Sequence, residues 1–224
     1  MRKISIGLMC IFLTPSMASA RDGAYIGADA LWTSAKYKYH NKRVMEQAEG
    51  KYTRARDVGF GFNAGYKIGL NTITGQSLVE KVFIAPEVFF DSVRSKGHDT
   101  AYLSNNSAGN FVNDKIQIQS RHGIKLNIGY DITPKLNVFV NAGFTKVKWK
   151  NSYLYDNVTE KGVRSAPIYG LGIAYNLDDN WAIRAAADYQ QFFIPNSSFY
   201  AGSHGAWVTK VTLETFKVGA AYRF

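Results

Sequence analysis

The sequence predicts an all-β fold, an eight-stranded antiparallel transmembrane β-barrel with short periplasmic turns and long extracellular loops. Three observations predict it: an export signal at the N-terminus, eight segments in which apolar and polar residues alternate, and connections that alternate between short and long. A mean hydropathy of −0.20 is too polar for a bundle of membrane helices, since each helix needs about 20 apolar residues in succession. The chain has a single cysteine, which excludes a disulfide framework and a cysteine-based metal site.

The first twenty residues have the three parts of a secretory signal peptide. Met1-Arg2-Lys3 gives a positive start, Ile4 to Leu13 is apolar, and Ala18-x-Ala20 is a small-residue cleavage site. We therefore expect a signal peptide at residues 1–20 and a barrel domain at residues 21–224. A membrane anchor is the alternative, but the apolar stretch is too short to span a bilayer. Cleavage removes the only cysteine and lowers the formal net charge of +10 by two.

The segment Lys115 to Ile132 shows the alternation most clearly. Its even positions, from Ile116 and Ile118 to Ile128, are mostly apolar, whereas its odd positions are all polar or glycine. Successive side chains of a strand point to opposite faces. The segment is therefore predicted to be one long strand with an apolar face and a polar face that carries charges such as Arg121.

Seven further segments show the same alternation, and the connections between the eight strands differ in length. The segments begin at Ala24, Val58, Val82, Val138, Pro167, Trp181 and Phe216. Short connections fall at 131–136 and 177–180, with a longer turn at 69–80, and the long connections are 40–56, 95–114, 145–164 and 191–207. An even strand number with short turns at one end and long loops at the other is typical of outer-membrane barrels. Proline cannot donate to a strand ladder, so we expect a local bulge at Pro86 and at Pro167.

A soluble barrel would point its apolar face inward, and two features favour the opposite arrangement. Glycines such as Gly59, Gly61 and Gly65 share the polar face, and small residues suit the inside of a narrow cylinder. Aromatic residues on the apolar face lie near the strand ends, as in the interfacial girdles of membrane barrels. These aromatic residues are Trp32, Tyr66, Tyr130, Tyr175, Trp181, Tyr189, Tyr222 and Phe224.

The last strand resembles the C-terminal signature of Gram-negative outer-membrane proteins, with Phe216, Val218, Ala220, Tyr222 and Phe224 on one face. The start of the first strand, residues 24–28, is similar to that of small OmpA-like and OmpX-like barrels. The resemblance implies an integral outer-membrane barrel that contacts outer-membrane lipids, and whose last strand is recognised by the barrel-assembly machinery. It also implies a surface antigen, an adhesin, an envelope-stabilising protein or a small porin-like pore.

The polar face is predicted to place charged side chains inside the barrel. An isolated buried charge is costly, so each of them needs a partner or water. We expect a plug of internal ion pairs; the alternative is a small anion-leaning pore, because six bases face four acids in the predicted lumen. The predicted interior charges are Asp29, Lys67, Glu87, Arg121, Lys125, Arg184, Asp188 and Lys217, together with Asp91 and Arg223.

Two of the long connections, 40–56 and 145–164, are basic and contain aromatic residues. Basic side chains among aromatic ones are suited to a sulfated or sialylated host glycan, a host surface protein or the phosphates of lipid A. A solvated rim that balances the anionic outer leaflet is the plainer alternative. Nucleic acid is not expected as a partner at this location. The candidate ligand-binding residues are Lys42, Arg43, Arg54, Lys148, Trp149 and Lys150.

The sequence gives little support for catalysis, so we expect a non-enzymatic surface barrel. A lipid A-modifying enzyme needs a histidine beside a serine and an acid. Ser203-His204 is the only neighbouring pair of this kind, and the connection that contains it has no acid. The four histidines are scattered and lack metal-ligand spacing. We therefore predict no catalytic, cofactor or metal site.

Overall fold

A computed structural model describes residues 22–41, 53–75, 81–102, 111–153, 159–196 and 207–224. Within these ranges the chain forms antiparallel strands and one short helix, α1. No helix of the described residues is both long and apolar enough to cross a membrane. In chain order the elements are β1 (Gly23–Asn41), β2 (Thr53–Gly69), α1 (Leu70–Thr74), β3 (Val82–Ser92), β4 (Lys96–Tyr102), β5 (Phe111–Asp131), β6 (Leu136–Tyr153), β7 (Thr159–Asn176), β8 (Trp181–Asn196) and β9 (Trp207–Arg223).

The strands close into an eight-stranded barrel, as predicted. Sequential strands are neighbours except for β3 and β4, β1 pairs with β9, and β3 pairs with β5. Both β3 and β4 pair with the same edge of β5, so they are two pieces of one barrel strand. The break between them is held in place by Ile118, whose N–H donates to the Ser95 carbonyl oxygen at 2.9 Å.

The apolar side chains point outward and the charged ones point inward. On β5, Ile124 is 62% exposed and Ile128 is 47% exposed, whereas Arg121 is 0% exposed and Lys125 is 4% exposed. A soluble barrel would show the reverse. The orientation predicted for a membrane barrel is therefore confirmed.

Two belts of exposed aromatic side chains mark the limits of the lipid-facing band. In the lower belt the rings of Trp181 and Tyr222 lie 5.1 Å apart, and in the upper belt those of Trp32 and Phe216 lie 6.0 Å apart. On β8, Trp181 and Tyr189 are eight residues apart, which is about 20 Å along the membrane normal for a tilted strand and is close to the usual apolar band of about 25 Å. The upper belt comprises Trp32, Phe60, Phe90, Phe144, Tyr169, Tyr189 and Phe216.

Above the upper belt the apolar and polar faces exchange places. On β1, the lipid-facing Trp32 is followed on the outer face by Lys36, whereas the inner face passes from Asp29 to the buried Ala35 and Tyr37. The interior is thus ionic within the membrane and apolar beyond it, because the outside changes from hydrocarbon to water. The apolar upper core consists of Ala35, Tyr37, Ala55, Val93, Ile116, Ile118, Val147, Trp149, Ala166, Phe192, Ile194, Val211 and Leu213.

The exchange of faces explains why the predicted long connections were too long. The segment 145–164 lies mostly in strands, since β6 extends to Tyr153 and β7 begins at Thr159. The prediction that Ile116 and Ile118 lie on the lipid-facing side of β5 was also wrong. The β5–β6 register shifts between Ile118 and Ser120, and one extra residue moves every later side chain to the other face.

The two strand prolines disturb the ladders without the predicted bulges. Pro86 pairs with Leu126 in regular register on β5. On its other side the ladder with β2 lapses and resumes in the same register. Pro167 pairs regularly with Phe144, and the described β7–β8 ladder stops beside it, at Ile168 and Gln190. A missing N–H is thus accommodated by a gap rather than by an inserted residue.

Candidate functional site

Eight charged side chains form one connected network in the lumen at the level of the membrane. They come from β1, β3, β5, β8 and β9 and are each at most 8% exposed. Four are acidic and four are basic, so their formal charges cancel. The two halves are joined where Lys125 Nζ lies 4.0 Å from Asp188 Oδ2. The members are Asp29, Glu87, Asp91, Arg121, Lys125, Arg184, Asp188 and Lys217.

The upper half of this network is a box of two carboxylates and two cations. Arg121 Nε lies 2.7 Å from Asp91 Oδ2, and Lys217 Nζ lies 2.8 Å from the same oxygen. Lys217 Nζ also reaches Asp188 Oδ2 at 3.1 Å. Each cation is therefore shared between carboxylates, which is the arrangement that offsets the cost of removing charges from water.

The lower half is organised by Arg184, which binds two carboxylates at once. Its Nη2 donates to Asp29 Oδ2 at 2.7 Å and its Nη1 donates to Glu87 Oε2 at 2.8 Å. Tyr25 donates its hydroxyl proton to Glu87 Oε2 at 2.9 Å, and Lys125 Nζ lies 3.2 Å from Glu87 Oε1. A planar guanidinium suits this role because it presents several donors in fixed directions.

Most of the excess of bases predicted for the lumen is paired in the described part of the barrel. The excess of bases counted from the sequence included Lys67, but its Nζ lies 2.9 Å from Asp131 Oδ1, a partner outside the predicted set. Arg223 lies half-buried at the periplasmic end. A cavity of about 80 Å³ lies near that end, with Lys67 and Phe83 in its wall.

A second candidate region is the outer surface just above the upper aromatic belt, where basic side chains are grouped on two faces. The first basic face consists of Lys36 and Lys38 on β1 with Arg54 and Arg56 on β2. The second basic face consists of Lys146, Lys148 and Lys150 on β6 with Lys161 on β7.

Each basic face has like charges directly opposite one another across a strand pair. Lys36 is the register partner of Arg54, and Lys150 is the register partner of Lys161. On the first face, Lys36 also forms an ion pair with Glu214 on β9. Like charges placed opposite each other weaken a sheet, so these surfaces favour a bound anion.

The structure places the six candidate ligand-binding residues in different environments. Arg54 lies on the first basic face, and Lys148 and Lys150 lie on the second, all in strands rather than loops. Lys42 and Arg43 lie outside the described residues. Trp149 points inward and is 6% exposed, with its ring so close to β7 that a Cβ at Gly162 would lie 2.6 Å from it. Its ring therefore belongs to the upper core and is not available at the surface.

Sequence reasoning did not single out Lys36 or identify Lys146 as part of an outward column. The signal was present as a continued period of two past Trp32 and past Phe144, with lysine in place of apolar residues. No group of three or more His, Cys, Asp or Glu residues that could hold a metal ion occurs among the described residues. Ser203 and His204 lie outside them.

An eight-stranded closed wall, two aromatic belts and a buried ionic lumen together define an integral outer-membrane β-barrel. Residues 4–224 match the family described as "Outer membrane protein beta-barrel domain", and the chain belongs to that family. The resemblance to small outer-membrane barrels is therefore confirmed. No curated protein matches the chain.

The chain is also similar to solved outer-membrane barrels. It matches the outer membrane protein OprG of Pseudomonas aeruginosa at 12% identity and a TM-score of 0.50, over 91% of this chain and 97% of that one. It matches Neisserial surface protein A at 14% identity and a TM-score of 0.48, over 90% and 97%. The third is the attachment invasion locus protein Ail of Yersinia pestis, in complex with the heparin analogue sucrose octasulfate, at 14% identity and a TM-score of 0.42, over 89% and 99%.

Proposed function

We propose that the protein is a non-enzymatic surface barrel, which supports the envelope, is exposed as an antigen and acts as an adhesin by binding anionic host glycans. The observation that carries the adhesin role is the facing of like charges on the outer surface, Lys36 against Arg54 and Lys150 against Lys161. A polyanion laid over such pairs removes their repulsion and forms charge-assisted hydrogen bonds with them. Lys42 and Arg43 are proposed to extend the first basic face toward the same ligand.

The lumen supports the structural part of the proposal. Its charges cancel and its side chains are held by shared ion pairs, so the described part of the barrel has the features of a plug. A pore would require these side chains to separate, which leaves several buried charges without partners.

Export and assembly complete the proposal. Cleavage after Ala20 would release a mature chain that begins at Arg21. The last strand places Tyr222 and Phe224 together on the lipid side, with ring centroids 5.2 Å apart. We propose this aromatic end as the segment that the barrel-assembly machinery recognises.

Heparin binding by the refolded protein tests the adhesin role. Replacing both arginines of the first basic face, R54Q/R56Q, is expected to weaken heparin binding about tenfold at low salt, because two charge-assisted contacts are lost. The matched control is K81Q/K135Q, which removes two exposed charges at the periplasmic end of the barrel. Equal binding by wild type and R54Q/R56Q at low salt would contradict the adhesin role, as would an equal loss in the control.

The non-enzymatic part is tested separately with lipid A. Ser203-His204 is the only serine–histidine neighbour pair in the chain, so His204→Ala removes the most direct route to acyl transfer or hydrolysis. Mass spectrometry of lipid A from cells that express wild type or His204→Ala is expected to give the same profile. A difference in acylation that depends on His204 would show that the barrel is an enzyme.

A further inference from the structure

We propose that the cavity at the periplasmic end of the lumen binds an acetamido group of the periplasmic cell-wall glycan. This site lies at the opposite end of the barrel from the two basic faces and shares no residue with them, so it is independent of the adhesin role. It also goes beyond the envelope-supporting role, because it gives the barrel a specific contact with the polymer beneath the outer membrane.

The cavity is left open by two phenylalanine rings that lie against the barrel wall. Phe83 on β3 is the register partner of Gly129 on β5, and Phe139 on β6 is the register partner of Gly172 on β7. A Cβ at Gly129 would lie 2.2 Å from the Phe83 ring, and a Cβ at Gly172 would lie 2.3 Å from the Phe139 ring. Each ring therefore covers its facing glycine instead of crossing the lumen. The space that remains between the walls is about 80 Å³.

The cavity reaches the periplasmic surface through a fixed entrance. Its lining includes Asp178, Asp179 and Asn180, the exposed turn residues between β7 and β8. Asp178 Oδ1 accepts from the backbone N–H groups of Asn180 and Trp181 at 2.8 Å and 2.7 Å. Asn180 Nδ2 donates to the Arg223 carbonyl oxygen at 3.0 Å. The entrance is thus formed before a ligand arrives.

A buried amide oxygen in the cavity wall calls for a ligand that donates a hydrogen bond. Asn127 on β5 lines the cavity and is 5% exposed. Its Nδ2 donates to the Ala85 carbonyl oxygen at 3.0 Å, whereas its Oδ1 has no hydrogen-bond partner within the described residues. A buried acceptor without a donor costs free energy, so a donor group placed in the cavity is favoured.

The charged residues of the wall favour a neutral ligand. Lys67 Nζ lies 2.9 Å from Asp131 Oδ1, and Arg184 Nη1 lies 2.8 Å from Glu87 Oε2. A ligand cation would lie beside Lys67 and Arg184, and a ligand anion would lie beside Glu87, so each is opposed by a like charge. A carboxylate also has no hydrogen to donate to Asn127.

An acetamido group meets these requirements and has the right size. Its N–H can donate to Asn127 Oδ1, and its carbonyl oxygen can accept from the amide of Asn137, which lines the same cavity and is 5% exposed. Its methyl group can pack against the rings of Phe83 and Phe139. The volume of about 80 Å³ is about half of the roughly 150 Å³ that accepts benzene, so it admits about four non-hydrogen atoms rather than a whole sugar ring. The cell-wall glycan carries such a group on each of its sugars.

Calorimetric binding of chitotetraose and cellotetraose to the purified mature protein tests the proposal. The two glycans have the same backbone linkage, but chitotetraose carries an acetamido group where cellotetraose has a hydroxyl. Wild type is expected to bind chitotetraose at least about fivefold more tightly, and N127L, which removes the unpartnered acceptor, is expected to lose most of that preference. The matched control is N141L, because Asn141 is a second buried lumen asparagine with an unpartnered Oδ1 that is not among the described residues lining the cavity. N141L is expected to stay within about twofold of wild type.

A second variant fills the cavity without removing a polar group. Ala174→Phe adds a ring from β7 to the cavity wall and is expected to abolish the preference for chitotetraose. Heat-modifiable migration on a gel verifies that each variant is folded, and N127L alone decides the test if Ala174→Phe does not fold. Heparin binding by N127L is expected to equal that of wild type, so failure of this proposal is distinguishable from failure of the adhesin role.

Four outcomes would overturn the proposal. Equal binding of the two glycans by wild type would show that the acetamido group is not recognised, and an equal loss in N127L and N141L would show a general effect on the lumen. Competition by sodium acetate as effective as that by acetamide would show that charge is recognised instead of an amide. Binding of N-acetylalanine amide as tight as that of chitotetraose would assign the cavity to a peptide rather than to the glycan.

Discussion

Gly219 on β9 lies directly opposite Asp29 on β1, and a Cβ at Gly219 would lie 2.3 Å from Asp29 Oδ1. The same relationship recurs for the other lumen carboxylates. Gly61 is opposite Asp91, Gly65 is opposite Glu87, and Gly170 is opposite Asp188. Asp29, Asp91 and Asp188 thus occupy space that only a facing glycine leaves free. At Gly65 a Cβ would instead meet the hydroxyl of Tyr25, which donates to Glu87.

Gly219→Ala is therefore expected to destabilise the barrel by about 1–3 kcal/mol through overpacking. The added Cβ would lie 2.1 Å from the Ala28 carbonyl oxygen, so the backbone has to move as well as the carboxylate. Urea unfolding in vesicles, followed by the gel shift of the unfolded form, measures the change. Ala220→Leu on the adjacent exposed position is the control and is expected to unfold like wild type; equal loss in both variants would refute the packing argument.

Arg121→Met removes one partner of a fully buried ion pair and is expected to cost about 3–5 kcal/mol, because Asp91 and Asp188 keep their charge with fewer cations. Adding Asp91→Asn to Arg121→Met removes one of the two buried negative charges that have lost a cation and should restore part of that loss. Lys36→Met is the comparison, since its pair with Glu214 is partly exposed and is worth at most about 1 kcal/mol. The same unfolding assay applies, and an Arg121→Met variant as stable as Lys36→Met would contradict a tightly coupled network.

The sequence was sufficient to predict the barrel within the membrane but not its continuation above it. On β5 the period of two correctly placed Arg121 and Lys125 inside and Ile124 outside, because hydrocarbon on one side and a narrow lumen on the other impose a constant pattern. Beyond the upper belt the barrel is surrounded by water, and the apolar residues of each strand point inward. Strand residues such as Lys148 were therefore predicted to lie in loops. Trp149 was misplaced for the same reason.

The sequence was sufficient to predict which charged residues form the network, but not which acid pairs with which base. The inward set followed from the period of two, whereas Lys67 was counted without Asp131, which lies at the very end of its strand. The pairing of acids with bases depends on the register between strands. The alternation of apolar and polar residues along a strand does not determine that register. Ile116 and Ile118 show the same limit, because a one-residue bulge left no distinct mark in the sequence.

Purified wild-type protein is expected to be electrically silent in a planar bilayer, because the eight charges that cross the lumen are paired and buried. Removing two cations of the upper box in R121A/K217A should introduce brief conductance steps, since the variant has both more space and unpaired carboxylates. The steps should favour cations for the same reason. Steady anion-selective steps from wild type would show that the lumen is a pore and would contradict the plug.

The apolar core above the membrane is predicted to be a separate unit of stability. Phe192 and Ile194 on β8 are buried there and stay paired with β9, whereas the β7–β8 ladder stops at Ile168 and Gln190 in the described strands. On the β7 side, packing of the upper core therefore replaces backbone pairing. Phe192→Ala is expected to cost about 3–5 kcal/mol locally and to make the upper strands sensitive to protease, while the membrane barrel keeps its heat-modifiable migration. Phe193→Ala, at the neighbouring exposed position, is the control. Cleavage at equal rates in both variants, or loss of the whole barrel in Phe192→Ala, would show that the upper core is not a separate unit of stability.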